Sequence, residues 1–141
     1  MTRTHLLFKT NKFSPTPGEL DPEHDDHIND GIFAKELATF LCSRLPEHGY
    51  PISDDIIEDW GHWIEIDHDE DFIISVCCSN NSAIEDDGIA EHRVFAVATK
   101  PFFKSLFKKI STGNSEEKLT KALKKILEST PEIQSIEVEY E

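Results

Sequence analysis

Two short runs, residues 60–66 and 72–79, most constrain what this chain can fold into. In the first, Trp60, His62, Ile64 and Ile66 fall on one side of an extended backbone, while Gly61, Trp63 and Glu65 fall on the other. In the second, Phe72, Ile74, Val76 and Cys78 form an apolar row opposed by Ile73, Ser75 and Cys77. The connection, Asp67-His68-Asp69-Glu70-Asp71, is short and nearly all carboxylate, so the pair reads as an antiparallel hairpin. Both tryptophans lie at its opening. Gly61 between them invites a bulge, one indole anchoring the core and the other free to serve as an interface anchor.

The remaining elements follow from periodicity and breakers. Leu6-Leu7-Phe8 predicts a short first strand, stopped by Ser14-Pro15-Thr16-Pro17-Gly18. Residues 19–30, with six acids and two histidines, read as a loop. Phe33, Leu37, Phe40, Leu41 and Leu45 recur at helical steps and predict a helix over 31–45, N-capped by Asn29 or Asp30. Pro46 and His48-Gly49 end it. Residues 50–57 run extended as a weak strand. Residues 93–100 are almost wholly apolar after Arg93 and predict a central strand covered on both faces. Pro101 starts a helix through Ile110, Gly113-Asn114-Ser115 breaks it, and Leu119, Leu123, Ile126 and Leu127 stripe a second helix over 116–128. A last strand alternates Ile136, Val138 and Tyr140, expected on the core, with Glu137, Glu139 and Glu141.

Strands gathered in the middle, with helices on either side in sequence, favour an α+β fold: a two-layer sandwich of a mainly antiparallel sheet of about five strands and three helices. One domain over 1–141 is expected, since 141 residues suffice for a single core without metal or disulfide.

Charge bounds the partners. The formal net charge is -14, a field that repels nucleic acid and anionic membranes and steers basic proteins inward. It is uneven: residues 100–125 hold eight of the fourteen basic residues and only two acids. Lysine opposite a Leu and Phe stripe reads as the wet side of a helix. No apolar run reaches the ~20 residues of a spanning helix, and the first nine residues lack the pattern of a secretory signal, so a cytoplasmic location is expected. Cys42, Cys77 and Cys78 read as reduced core thiols, with Cys77 the one open to semi-exposure.

Catalytic signatures are weak. The clusters at 21–27 and at Asp67-His68-Asp69 match no closed zinc motif and no calcium loop, so neither metal nor cofactor is expected. The chain holds no nucleophile elbow and no glycine-rich phosphate cradle. Asp59 with His62 is the remaining acid/base candidate, and it requires a pocket beside Trp60 and His62.

The helix Gly31-Ile32-Phe33-Ala34-Lys35-Glu36-Leu37-Ala38, the stretch Ile57-Glu58-Asp59-Trp60-Gly61-His62-Trp63-Ile64-Glu65-Ile66 and Lys100-Pro101-Phe102 resemble a family of small uncharacterised bacterial proteins, a domain of unknown function. That family shares a G-x-x-x-K-E-L-A helix, an E-D-W-G strand start and a basic helix after a Pro-Phe pair. The likeness runs from about Gly31 onward and implies no catalytic residue. Size and acidity also give a looser likeness to the immunity partners of bacterial toxins.

The leading expectation is therefore a non-enzymatic, acidic protein-binding or inhibitor protein, immunity-like, that masks a basic site on a partner. Its contact residues are expected at Asp67, Asp69, Glu70, Asp71, Asp86, Asp87 and Trp63. A small-ligand binder or enzyme with a pocket near Trp60 and His62 is the first alternative. A homo-oligomer built through the edge at 136–140 is the second.

Overall fold

The computed structural model describes residues 3–100 and 112–141, and the helix expected from Pro101 lies outside them. The order is β1 (Thr4–Thr10), α1 (Pro17–Leu20), α2 (Lys35–Arg44) with a 3-10 turn (Leu45–His48), β2 (Ile52–Glu58), β3 (Gly61–Ile66), β4 (Ile73–Asn80), β5 (Ala90–Thr99), a helix numbered here α3 (Ser115–Glu128) and β6 (Gln134–Tyr140). The strands form one antiparallel sheet in the order β2-β3-β4-β5-β1-β6, one strand more than expected. Helices α2 and α3 lie against one face, α2 over β3 and β4, α3 over β5, β1 and β6. This is the α+β sandwich.

The alternating rows of the hairpin explain that layering. Ile64, Ile66, Ile74, Val76 and Cys78 all face the helices, where they meet Leu37 and Leu41 of α2 and Leu119, Leu123 and Ile126 of α3 in one cluster. Phe8 and Leu6 of β1 and Val94 and Ala96 of β5 extend the same floor. Each fully buried aliphatic contributes roughly 1.5–3 kcal/mol, so this seam dominates stability. As expected, β5 is internal. Val97 on its other face is also buried.

Several expectations need correction. Helix α2 begins at Lys35 rather than 31, and neither Asn29 nor Asp30 caps it. The carboxylate of Glu19, far upstream in the chain, accepts from the amides of Ala34 (2.7 Å) and Lys35 (3.0 Å) instead. Gly31 sits at positive φ just before, and the Asn80 side chain ties this entry down, donating to Gly31 O and accepting from Phe33 N. The stretch expected as a loop begins in a short helix, α1 (Pro17–Leu20), whose capping box pairs Thr16 with Glu19. The bulge expected at Gly61 is absent; the β2–β3 register shifts between Ile52 and Asp54. Cys77 is 1% exposed, not semi-exposed.

Strand β6 departs most from expectation. Its alternation is real, yet Val138 is 38% and Tyr140 70% exposed. The reason is position: β6 is the outermost strand, and a cleft of about 520 Å³ separates its apolar row from α3. Among the described residues no helix is long and apolar enough to cross a membrane.

Candidate functional site

Asp59 and Trp60 make the two-residue turn between β2 and β3, with Glu58 opposite Gly61 across it. Gly61 is required there by space: a Cβ would stand 2.3 Å from the carbonyl oxygen of Cys78 and 2.8 Å from Ser79 Cβ. That close approach lets β3 start against β4 and pushes the preceding Trp60 side chain outward. Trp60 is 37% exposed, whereas Trp63, on the strand proper, is half-buried with its indole N–H donating to Glu65 Oε1 at 3.1 Å.

Beside Trp60 opens a cleft of about 630 Å³, lined among others by Asn29, Asp30, Ile32, Asp59, Arg93 and Phe95. Asn29 fixes its rim by donating to Asp59 O at 2.6 Å. Arg93 is already committed, donating to Asn81 Oδ1 (3.2 Å) and Glu139 Oε1 (3.1 Å) and lying 2.8 Å from His5 Nδ1. The other charged groups in the described lining are the carboxylates of Asp30 and Asp59, and Asp30 Oδ1 lies 3.7 Å from His27 Nε2. A concave site with an aromatic wall and a carboxylate rim suits a cation.

Buried polar groups brace this end of the sheet. Glu19 is almost wholly buried; besides the α2 amides it accepts from Thr16 N (3.0 Å), and its own carbonyl lies 2.7 Å from His27 Nδ1. His92 is fully buried among Phe8, Phe13 and Phe33, ring centroids 5.5 to 5.7 Å away, and neither ring nitrogen has a partner among the described residues. Burial without a partner pushes its pKa down to about 4. Lys35 bonds Asp26, a contact that lowers the aspartate pKa and raises the lysine pKa.

The acid/base pair expected at Asp59 and His62 does not form. His62 is 4% exposed and its Nδ1 lies 2.8 Å from Asp55 Oδ1, a cross-strand neighbour on β2. His62 does not line the cleft beside Trp60. The contact ties β3 to β2. The thiols are equally unsuited to attack: burial pushes Cys42 up to about 11 and Cys77 up to about 12, so each stays protonated at neutral pH.

The expected contact residues divide between two places. Asp67, Asp69, Glu70 and Asp71 lie in the β3–β4 loop, while Asp86 and Asp87 lie in the β4–β5 loop at the other end of β4. Eight residues of strand separate the loops by roughly 25 Å at ~3.3 Å per residue. Asp86 and Asp87 therefore share an end of the sheet with Asp59 and Trp60; Asp67, Asp69, Glu70 and Asp71 do not. Trp63 joins neither group, facing away from the helices in mid-sheet.

The histidine- and acid-rich clusters are held internally. In residues 21–27, Asp21 accepts from Glu23 N (3.0 Å) and His24 Nδ1 from Asp26 N (3.0 Å). In the β3–β4 loop His68 Nδ1 accepts from Glu70 N at 3.1 Å and its ring leans on Phe72. Among the described residues no three such side chains are grouped to hold a metal. Sequence reasoning missed Asp30 and Asn29 as site residues; the acid-rich loop that carries them was visible, but its docking against the Asp59 turn was not. No family model, curated protein or solved structure matches this chain.

Proposed function

We propose that this protein is a non-enzymatic, acidic protein-binding module, immunity-like in its working, that covers a basic site on a partner protein. The observation that carries the reading is Trp60, exposed at the mouth of a cleft rimmed by Asp30 and Asp59. A partner arginine or lysine laid over the indole gains a cation–π contact of ~0.5–2 kcal/mol and charge-assisted hydrogen bonds to the two carboxylates. The net charge of -14 raises the encounter rate with a basic surface, an effect that weakens as salt screens it.

On this reading Asp86 and Asp87, at the same end of the sheet as the turn, add to the negative field there, and the β3–β4 loop contributes mainly to the long-range field. Titration calorimetry with an arginine-rich peptide tests it. Binding that weakens with rising salt and drops about tenfold in Trp60→Ala supports the module. Binding indifferent both to salt and to Asp30→Lys with Asp59→Lys contradicts it. The size of the cleft favours one second reading, a small cationic ligand, because about 630 Å³ lies within the range of small-molecule sites. A blocked single arginine that binds as tightly as the peptide selects that second reading.

A further inference from the structure

We propose that the β6 edge is a second docking surface, which takes an extended partner segment of alternating basic and apolar residues as a seventh strand of the sheet. The surface lies on the side of the sheet opposite the Trp60 turn: β6 is outermost beyond β1, while Trp60 joins β2 to β3 at the other edge. Its outer side has no strand paired to it among the described residues, so a row of backbone donors and acceptors is open for β-augmentation.

The two faces of β6 specify what the added strand must carry. Val138 lies opposite Leu6 and Tyr140 opposite Thr4, which puts both on the helix side, where they border the cleft beneath α3. Lys121 and Lys124 of α3 stand in that same lining. Glu116 and Glu117 line it too and offset the two lysines, Lys121 pairing with Glu117 at 3.5 Å, so nothing there calls for a charge, and an apolar side chain covers the exposed valine and tyrosine. On the other face Glu137 lies opposite Leu7 and Glu139 opposite His5. Glu139 is engaged by Arg93 at 3.1 Å, while Glu137 makes no hydrogen bond or ion pair among the described residues. Basic side chains at every second position of the added strand meet this carboxylate row.

The same alternation argues against a second copy as the occupant. A two-fold axis that joins two β6 strands edge to edge and antiparallel keeps each face of the sheet continuous. Residues opposite one another then share a face, so in every register centred on residues 137–140 a glutamate of one copy meets a glutamate of the other. Like charges directly opposite are destabilising, and lysine at those positions converts each clash into a favourable cross-strand pair.

The test uses the intact protein and two synthetic peptides of equal composition, one alternating lysine with valine, the other carrying the same residues in two blocks. Amide hydrogen exchange and calorimetry read the outcome. The expected result is at least about tenfold tighter binding of the alternating peptide, slowed exchange confined to 134–140 and β1, and clear weakening in Glu137→Lys. N-methylation of alternate peptide amides in one of the two phases must abolish binding, while Trp60→Ala must leave it unchanged. Equal binding of the block peptide, or loss of binding in Trp60→Ala, overturns the proposal without touching the Trp60 reading. Dimers that form through 134–140 in light scattering and exchange overturn it in favour of a second copy.

Discussion

The two ends of β4 carry comparable acid but are built in different ways. At the β3–β4 loop the carboxylates of Asp67, Asp69 and Glu70 ride on a short connection, tied by Asp67 N donating to Pro51 O at 2.7 Å and by Glu70 N donating to His68, beside a small cleft of about 170 Å³. At the Trp60 end the chain has buried Glu19, His92 and His62, the last against the exposed Asp55, has docked the loop of Asn29 and Asp30 onto the turn, and has left an indole in the open beside a cleft several times larger. Burying such groups opposes folding unless each is satisfied, and neither the His92 ring nor Nε2 of His62 has a hydrogen-bond partner among the described residues. The contrast teaches that charge density alone does not mark a site. The proposed reading rests instead on fixed geometry around an exposed aromatic.

Acid should break the comparison most strongly. His92 is held at about 4 in the folded chain against 6.5 when free, so the unfolded state binds the proton first. Stability present above pH 6.5 is then lost as pH falls toward 4, by about 3 kcal/mol from this one group. His5, whose pKa is lowered by burial and by Arg93, acts in the same direction. Urea unfolding at a series of pH values checks the slope, and His92→Phe, which removes both unpartnered nitrogens, is expected to flatten it. Exchange in the Trp60 half should rise before exchange in the β3–β4 loop changes.

The next largest effect is expected from Glu19→Ala, which strips the acceptor from the amides of Ala34 and Lys35 and should cost about 2 kcal/mol. Asp69→Ala, at the other end, should shift the urea midpoint by less than the equivalent of ~0.5 kcal/mol. Equal losses from the two substitutions would remove the distinction between a braced end and a solvated one.

These residues also show what could be read from the chain and what could not. Hydrophobic rows with a period of two betray a hairpin directly, since each step turns the side chain to the other face; the rows at 62–66 and 74–78 fold as their spacing dictates, whereas Trp60, expected in the first row, sits in the turn before β3 and is exposed. The start of α2 was hidden because its cap comes from Glu19, and no local pattern announces a partner brought in by a loop. His62 was matched to Asp59 by proximity in sequence, but strand register decides the partner and selects Asp55. The exposure of Val138 depends on how far α3 reaches across the sheet, a tertiary distance that alternation does not encode.

Charge reversal gives the smallest expected effects and the sharpest contrast. Asp69→Lys with Glu70→Lys should slow association with a basic peptide through the long-range field and leave dissociation nearly unchanged. Asp30→Lys with Asp59→Lys should speed dissociation as well. Stopped-flow mixing at low and high salt separates the two.

The central claim, that the Trp60 end is the contact surface and the β3–β4 loop is not, is tested most directly by amide chemical-shift mapping during titration with an arginine-rich peptide. The account predicts saturable shifts gathered at residues 29–32, 59–60, 79–80 and 93–95, around the cleft. Shifts centred instead on residues 67–71, with the Trp60 turn unmoved, would contradict it.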